Sequence, residues 1–303
     1  MLLKVGVLYL TKLSTEPNAL DSAAEYFDKY IKSFPDTPMT NMAHYYLGFC
    51  YYNGRRFTEA AQTFRSFAEK YPNSEFTPEA VFYYADCNYN LGNSDESVKW
   101  FNTVISRYPN HEKAEEALFI KAWALLDLQR VDEGIKTLEQ LVDKYPKGKF
   151  AATSLYSIAD YYYNVQRFED ALKTYQEVLA RYPDTEVSKK IPDTLKELSE
   201  TVAYIDYEKA FTLFSQAKER TDLNLYRQAA ALFEEIVKKY PGTESETGSY
   251  ANMGFAYEEL GEYQKAVNAF EQVIKKYESG AGVSAEAFTF ARLHRDYIVA
   301  NKL

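Results

Sequence analysis

The chain is poor in the residues on which most chemistry depends. Its 303 residues include three histidines, two cysteines, two tryptophans and 12 glycines. His44, His111 and His294 are scattered and no pair has the spacing of metal ligands, so no metal site is expected. Glycine is scarce and marks turns between helical patterns, which leaves no loop able to cradle a phosphate. The plentiful Asp and Glu residues fall mostly on exposed helix faces, where paired carboxylates are solvated charge. We therefore expect no catalytic residue, no cofactor and no enzyme. The 35 basic residues are outnumbered by 44 acidic ones, for a formal charge of −9, and form no stripe or run. Nucleic acid, which is held mainly by clustered Lys and Arg facing phosphates, is excluded as a partner. No apolar run approaches the roughly 20 residues needed to cross a bilayer.

What the chain has in abundance is aromatic residues, 16% of its length, including 28 Tyr. Some of them mark a period. Phe34-Pro35, Tyr71-Pro72, Tyr108-Pro109, Tyr145-Pro146 and Tyr182-Pro183 recur at a stride of 37 residues. One step of 58 leads to Tyr240-Pro241, and another 37 residues reach Tyr277, where Glu278 replaces the proline. A period between 20 and 50 residues signals stacked repeats in which each unit contacts only its neighbours. Each period holds two helical patterns, such as residues 41–53 and 56–71, separated by Gly54-Arg55. Gly48 and Ala60 are small where the two helices must approach, and Phe64 and Phe67 fill the space beside them. Thr77-Pro78 reads as an N-cap followed by proline in the first helical turn.

These positions carry a resemblance to the tetratricopeptide repeat family. Tyr250, Met253, Gly254, Tyr257, Gly261, Tyr263, Ala266, Phe270 and Val273 follow that family's pattern. Leu47, Gly48, Tyr51, Ala60, Phe64 and Pro72 fit in the same register, as do Ile158, Ala159, Tyr162, Phe168, Ala171, Tyr175 and Pro183. The resemblance implies an all-α fold, a right-handed α-solenoid superhelix of about seven helix pairs. The period exceeds the family's usual one by about three residues, the surplus falling after the aromatic-Pro pair. Arrays of this longer type resemble those of bacterial cell-envelope proteins: the Tol-Pal-associated coordinator and the outer-membrane assembly lipoprotein. The resemblance alone implies a periplasmic or envelope location; the alternative is the cytoplasm.

The 58-residue step exceeds one period by 21 residues. Ile191, Leu195, Leu198, Val202 and Ile205 in that stretch fall at helical spacings, which predicts one extra helix at 186–204. The domains expected are thus a repeat array over 1–185, the inserted helix, and a second array over 205–303 ending in a capping helix at 285–298. At the other end MLLKVGVLYLTKL has the look of a short signal peptide. Lys4 interrupts it, no small-residue cleavage site follows, and it aligns as the first helix of a repeat ending at Pro35. Leu2, Leu3, Val5, Val7, Leu8 and Leu10 leave this helix little polar face, so an association through the apolar N-terminal edge is expected. The alternatives are a preceding repeat, a partner subunit or a frayed terminus. Cys50 and Cys87 lie one period apart on successive first helices, too far apart for a disulfide.

In the resembling family the first helices line a concave groove that holds a partner. The corresponding positions here are Tyr45, Phe49 and Tyr52; then Phe82, Asp86 and Tyr89; then Phe119 and Trp123, with Leu126; then Tyr156, Asp160 and Tyr163. Phe211, Phe214, Lys218 and Phe255 continue the row. Aromatics at such sites serve either as packing or as interface anchors, where Tyr and Trp are enriched. Asn53, Asn90, Asp127 and Asn164 stand just beyond, as helix caps or as donors to a peptide backbone. The function expected is a non-enzymatic scaffold binding a peptide or protein segment in this groove. The alternative is a structural subunit that self-assembles, or joins a larger machine, through its ends and convex face.

Overall fold

The computed structural model describes residues 1–12 and 18–303, and every regular element among them is helical. The helices are α1 (Leu2–Leu10), α2 (Ala19–Ser33), α3 (Thr40–Asn53), α4 (Phe57–Lys70), α5 (Thr77–Asn90), α6 (Ser94–Arg107), α7 (Lys113–Asp127) and α8 (Val131–Lys144). After them come α9 (Ala151–Asn164), α10 (Phe168–Arg181), α11 (Ile191–Arg220), α12 (Leu223–Lys239), α13 (Glu244–Glu259), α14 (Tyr263–Glu278) and α15 (Ala285–Asn301). They form seven pairs followed by one unpaired helix, α15, as the period predicts. The chain divides inside α9 into two compact units, residues 1–158 and 159–303.

Within a pair, a residue without bulk on the first helix receives a large side chain from the second. A Cβ added to Gly48 would lie 2.8 Å from Phe64, and one added to Gly254 would lie 2.6 Å from Phe270. Ala85 with Phe101, Ala122 with Leu138 and Ala217 with Phe233 take the equivalent positions, all buried. In the first pair Gly6 meets Phe27 in the same way. The opening stretch is thus a first helix, although its connection to α2 is five residues longer than the period allows. Residue 13, the last of that stretch, lies outside the described residues.

The aromatic-Pro pairs end the second helices. The residue before proline is barred from the helical region, and Tyr71, Tyr108, Tyr145 and Tyr182 all turn out of it at φ between −134° and −125°. The carbonyl left over is collected by a hydroxyl: Thr40 Oγ1 donates to the Phe34 carbonyl at 2.6 Å, and Thr77 Oγ1 to the Tyr71 carbonyl at 2.6 Å. The capping role expected of Thr77 is therefore corrected. Its hydroxyl closes the previous helix, while Phe76 stands at the N-cap of α5 with no side-chain cap bond. From the second pair to the seventh, the turn inside the pair holds one left-handed residue. Gly92 and Gly261 supply it, but Arg55, Gln129, Gln166 and Thr221 adopt it at φ of 57°, 59°, 60° and 54°. A non-glycine residue in this region costs roughly 1–2 kcal/mol. Gln129→Gly is accordingly expected to raise the stability by about 0.5–1 kcal/mol after the entropy of the freer unfolded chain is subtracted. A urea melt of the two proteins measures it.

The expected extra helix is also corrected. After one 3-10 turn at Ser188–Lys190, α11 runs unbroken through 30 residues, so the surplus lengthens the first helix of the sixth pair and makes no separate α-helix. Ile191, Leu198 and Val202 of the extension are buried as their spacing predicts, whereas Ile205 is 37% exposed. α11 packs against α10 and α13 as well as against α12. A Cβ on Gly248 would lie 2.9 Å from Tyr207, and the Tyr207 hydroxyl accepts from Asn252 Nδ2 at 2.9 Å.

Candidate partner-binding face

The first helices α3, α5 and α7 pack directly against one another in the N-terminal unit, and α11, α13 and α15 do so in the C-terminal unit. Their side chains form the walls on which the sequence places its candidate residues. The structure separates those candidates into two sets. Phe82 is only 1% exposed and meets Phe101 edge-on at 5.7 Å, and Tyr45 is buried against Phe64, Phe67 and Phe76. Phe82 is a core residue, which corrects its reading as a groove contact, and the Tyr45 ring is spent on packing. The more open ring on α5 is the adjacent Tyr83, stacked on Phe64 at 5.3 Å and close to Tyr52 at 4.8 Å. Phe49, Tyr52, Tyr89 and Phe119 are half-buried, and Trp123 is 36% exposed. Phe119 stacks on Phe150 at 4.6 Å and meets Trp123 edge-on, so the indole is held from behind with its outer side open. Tyr156 is half-buried on α9. In the C-terminal unit, Asp160 accepts a hydrogen bond from the Tyr175 hydroxyl, and Tyr163 meets Phe168 edge-on at 6.0 Å.

Two tyrosines of α3 are tied to carboxylates on the next first helix, α5. The Tyr45 hydroxyl donates to Glu79 and the Tyr52 hydroxyl to Asp86, both 34 residues further on. Burial, with the neighbouring carboxylate second, raises the pKa of each phenol. Burial likewise raises Tyr89, with Asp127 beside it. Asp86 is itself only 5% exposed. Burial raises its pKa, the Tyr52 hydrogen bond opposes that, and Glu116 adds to it. Lys113 pairs with Glu116 at 2.8 Å, its ammonium lying 4.9 Å from the Phe82 ring centre and 5.6 Å from that of Tyr83. Glu79, Glu116, Lys113 and Tyr83 were missed by sequence reasoning. Their signal was faint: Glu79 and Glu116 are one period apart, one or two turns before the positions that were read.

Asn53 and Asn90 donate to the carbonyls of Phe49 and Asp86, at 2.9 and 2.8 Å. They cap their own helices. His44 packs on the Tyr71 ring at 5.6 Å and shares a hydrogen bond of 3.2 Å between its Nδ1 and the Tyr71 hydroxyl, and burial lowers its pKa. Cys50 and Cys87 are free and buried, each thiol pushed up to about 12 by burial.

In the C-terminal unit the row continues into an open cleft of about 520 Å³ lined by Phe211, Phe214, Lys218, Asn252, Phe255 and Phe290. Tyr207, Phe211 and Phe214 stack in sequence along α11, at 5.8 and 6.1 Å. Phe255 then bridges Phe214 and Phe290. Lys218 lies over Phe255 at 5.5 Å. His294 rests on Phe290 and contacts Glu258 at 2.6 Å. A second cleft, of about 590 Å³, opens between α10, α11 and α12. Its central charges answer one another: Lys209 reaches Asp206 at 2.9 Å, and Asp206 also accepts from the Tyr240 hydroxyl at 3.0 Å. Among the described residues there is no cluster able to hold a metal ion, and no helix long and apolar enough to cross a membrane.

Residues 51–272, most of the repeat array, match the YfiO family, described as outer membrane lipoprotein. The chain belongs to this family. Residues 18–75 also match a tetratricopeptide repeat family. No curated protein matches the sequence. Among solved structures, a tetratricopeptide repeat protein from Parabacteroides merdae aligns over 97% of both chains at 15% identity and a TM-score of 0.50. A double mutant of MamA RS-1 aligns over 61% of this chain and 97% of its own, at 12% identity and a TM-score of 0.50. At these identities the likeness is one of fold, an α-solenoid of tetratricopeptide repeats. This YfiO-family chain thus joins a tetratricopeptide repeat solenoid to an aromatic wall.

Proposed function

We propose that this YfiO-family protein is a non-enzymatic scaffold that holds a peptide or protein segment along the first-helix face, within a bacterial cell-envelope assembly. The observation that carries the reading is the open aromatic wall, in which Trp123 is supported by Phe119 yet exposed, and Tyr52 and Tyr89 are half-open beside it. Aromatic residues fixed from behind and open in front are the anchors of protein interfaces. The envelope location is supported by the outer-membrane description of the family. A photo-crosslinking amino acid placed at residue 123 in cells is expected to capture a protein in the envelope fraction. The same probe at Glu139, exposed on α8, is the control. Capture from neither position, or equally from both, argues against the face.

A second reading, assembly with like chains, is supported by the two ends. Val7 and Leu8 of α1 are exposed, Leu8 by 54%, and so are Leu293, Tyr297 and Val299 of α15. Light scattering over rising concentration tests it: a mass that stays that of one chain removes this reading.

A further inference from the structure

The wall of α3, α5 and α7 differs from that of α11, α13 and α15 in its charge. Glu79, Asp86 and Glu116 stand among its rings, with Asp127 beside Tyr89. Phe49, Asp86 and Trp123 hold the same register position on three successive helices, so a carboxylate sits between two aromatic side chains along the row. We propose that this face takes an extended basic segment, one of whose Arg or Lys side chains lies between α5 and α7 with its cation against Asp86 and the Trp123 ring. The inference rests on the partner-binding reading above and names the partner's chemistry.

Three observations carry it. Asp86 is nearly sealed from water on an otherwise aromatic wall and accepts from the neutral Tyr52 hydroxyl, while Lys113, the cation nearby, forms its ion pair with Glu116. Neighbouring packed helices run about 8–10 Å apart, within reach of one long side chain inserted between Asp86 and Trp123. The face also receives an ammonium already: Lys113 lies over Phe82 and Tyr83 while pairing with Glu116. A cation held over a ring face and against a carboxylate is favourable, and more so when desolvated.

The test uses the full chain and three fluorescein-labelled peptides, three repeats each of Ala-Tyr-Arg, Ala-Tyr-Gln and Ala-Tyr-Glu, followed by anisotropy. The Arg peptide is expected to bind at least tenfold more tightly than the Gln peptide, and the Glu peptide least. Asp86→Asn and Trp123→Ala should each remove most of that preference. Glu139→Gln, which deletes one exposed charge elsewhere, should leave it intact, separating the site from the general pull of an acidic protein. Trp123→Ala changes no charge and alters a partly exposed side chain, so it remains informative whatever Asp86→Asn does to folding. Equal binding of the Arg and Gln peptides overturns the inference, as does a preference that survives both variants, or no binding of any peptide. The crosslink at residue 123 decides the broader reading independently, so the two fail separately.

Discussion

Phe64→Ala is expected to lower the stability of the N-terminal unit by about 3–5 kcal/mol, the range for deleting a buried aromatic side chain. Phe64 has no exposed surface. Its ring lies against the bare backbone of Gly48 on the partner helix and touches both Tyr45 and Tyr83. Glycine has no side chain that could swing in, so the cavity cannot be filled from that side, and the cost should fall near the top of the range. Each repeat contacts only its neighbours. The loss should therefore appear in hydrogen exchange as faster opening of α3, α4 and α5, with α13 and α14 unchanged. Gly48→Ala probes the same contact from the opposite side. Its Cβ would enter a space already filled by the ring, and overpacking of this kind costs about 1–3 kcal/mol. Urea melts of the two variants give the magnitudes. If Phe64→Ala costs under 1 kcal/mol, the pairing of small residue and ring is not what holds the repeat together.

This contact was legible in the sequence because it is local: a small residue and a large one, 16 residues apart, recurring at the same register in most pairs. The extent of α11 was less legible. The period counts residues but does not say whether a surplus forms a helix or lengthens one. The deciding signal was the lack of any glycine or proline from residue 193 to residue 220, which left nothing to interrupt the helix over that length. The phase of the first helices was the harder case. α3 and α5 are sandwiched between neighbours and carry apolar residues almost all round, unlike the two-faced α4, α6 and α8. With Phe82, Tyr83 and Tyr84 in a row, the sequence offered three rings for one opening, and burial chose differently from register. The hydroxyl of Thr77 was misjudged for a related reason. A carbonyl six residues back, across a turn, competes with the helix start as its partner, and only the folded backbone shows which is nearer.

Asp86→Asn is expected to stabilise the protein near neutral pH, by about 1 kcal/mol, even though it should weaken the binding of a basic segment. Burial raises the pKa of Asp86 in the folded protein, and Glu116 adds to that. The hydroxyl of Tyr52, and to a lesser degree Lys113, work in the opposite direction. The sign follows from linkage. A carboxyl whose pKa is higher folded than unfolded contributes its stability in full below the unfolded value of about 3.9, and loses it as the pH rises through the folded value. Asparagine keeps an oxygen to accept from Tyr52 and carries no charge to desolvate. Wild type and variant should therefore be nearly equal in stability at pH 3.5, with the variant drawing ahead as the pH rises toward 7.5. Urea titrations at four or five pH values across that range measure the divergence. A constant gap at all pH values would mean that the carboxylate is not strained by burial. A variant that is less stable at pH 7.5 than wild type would mean that Asp86 has a compensating partner in the free protein. The expected pattern is a side chain that costs stability while the face is empty, and a cation supplied by a partner is what would recover it.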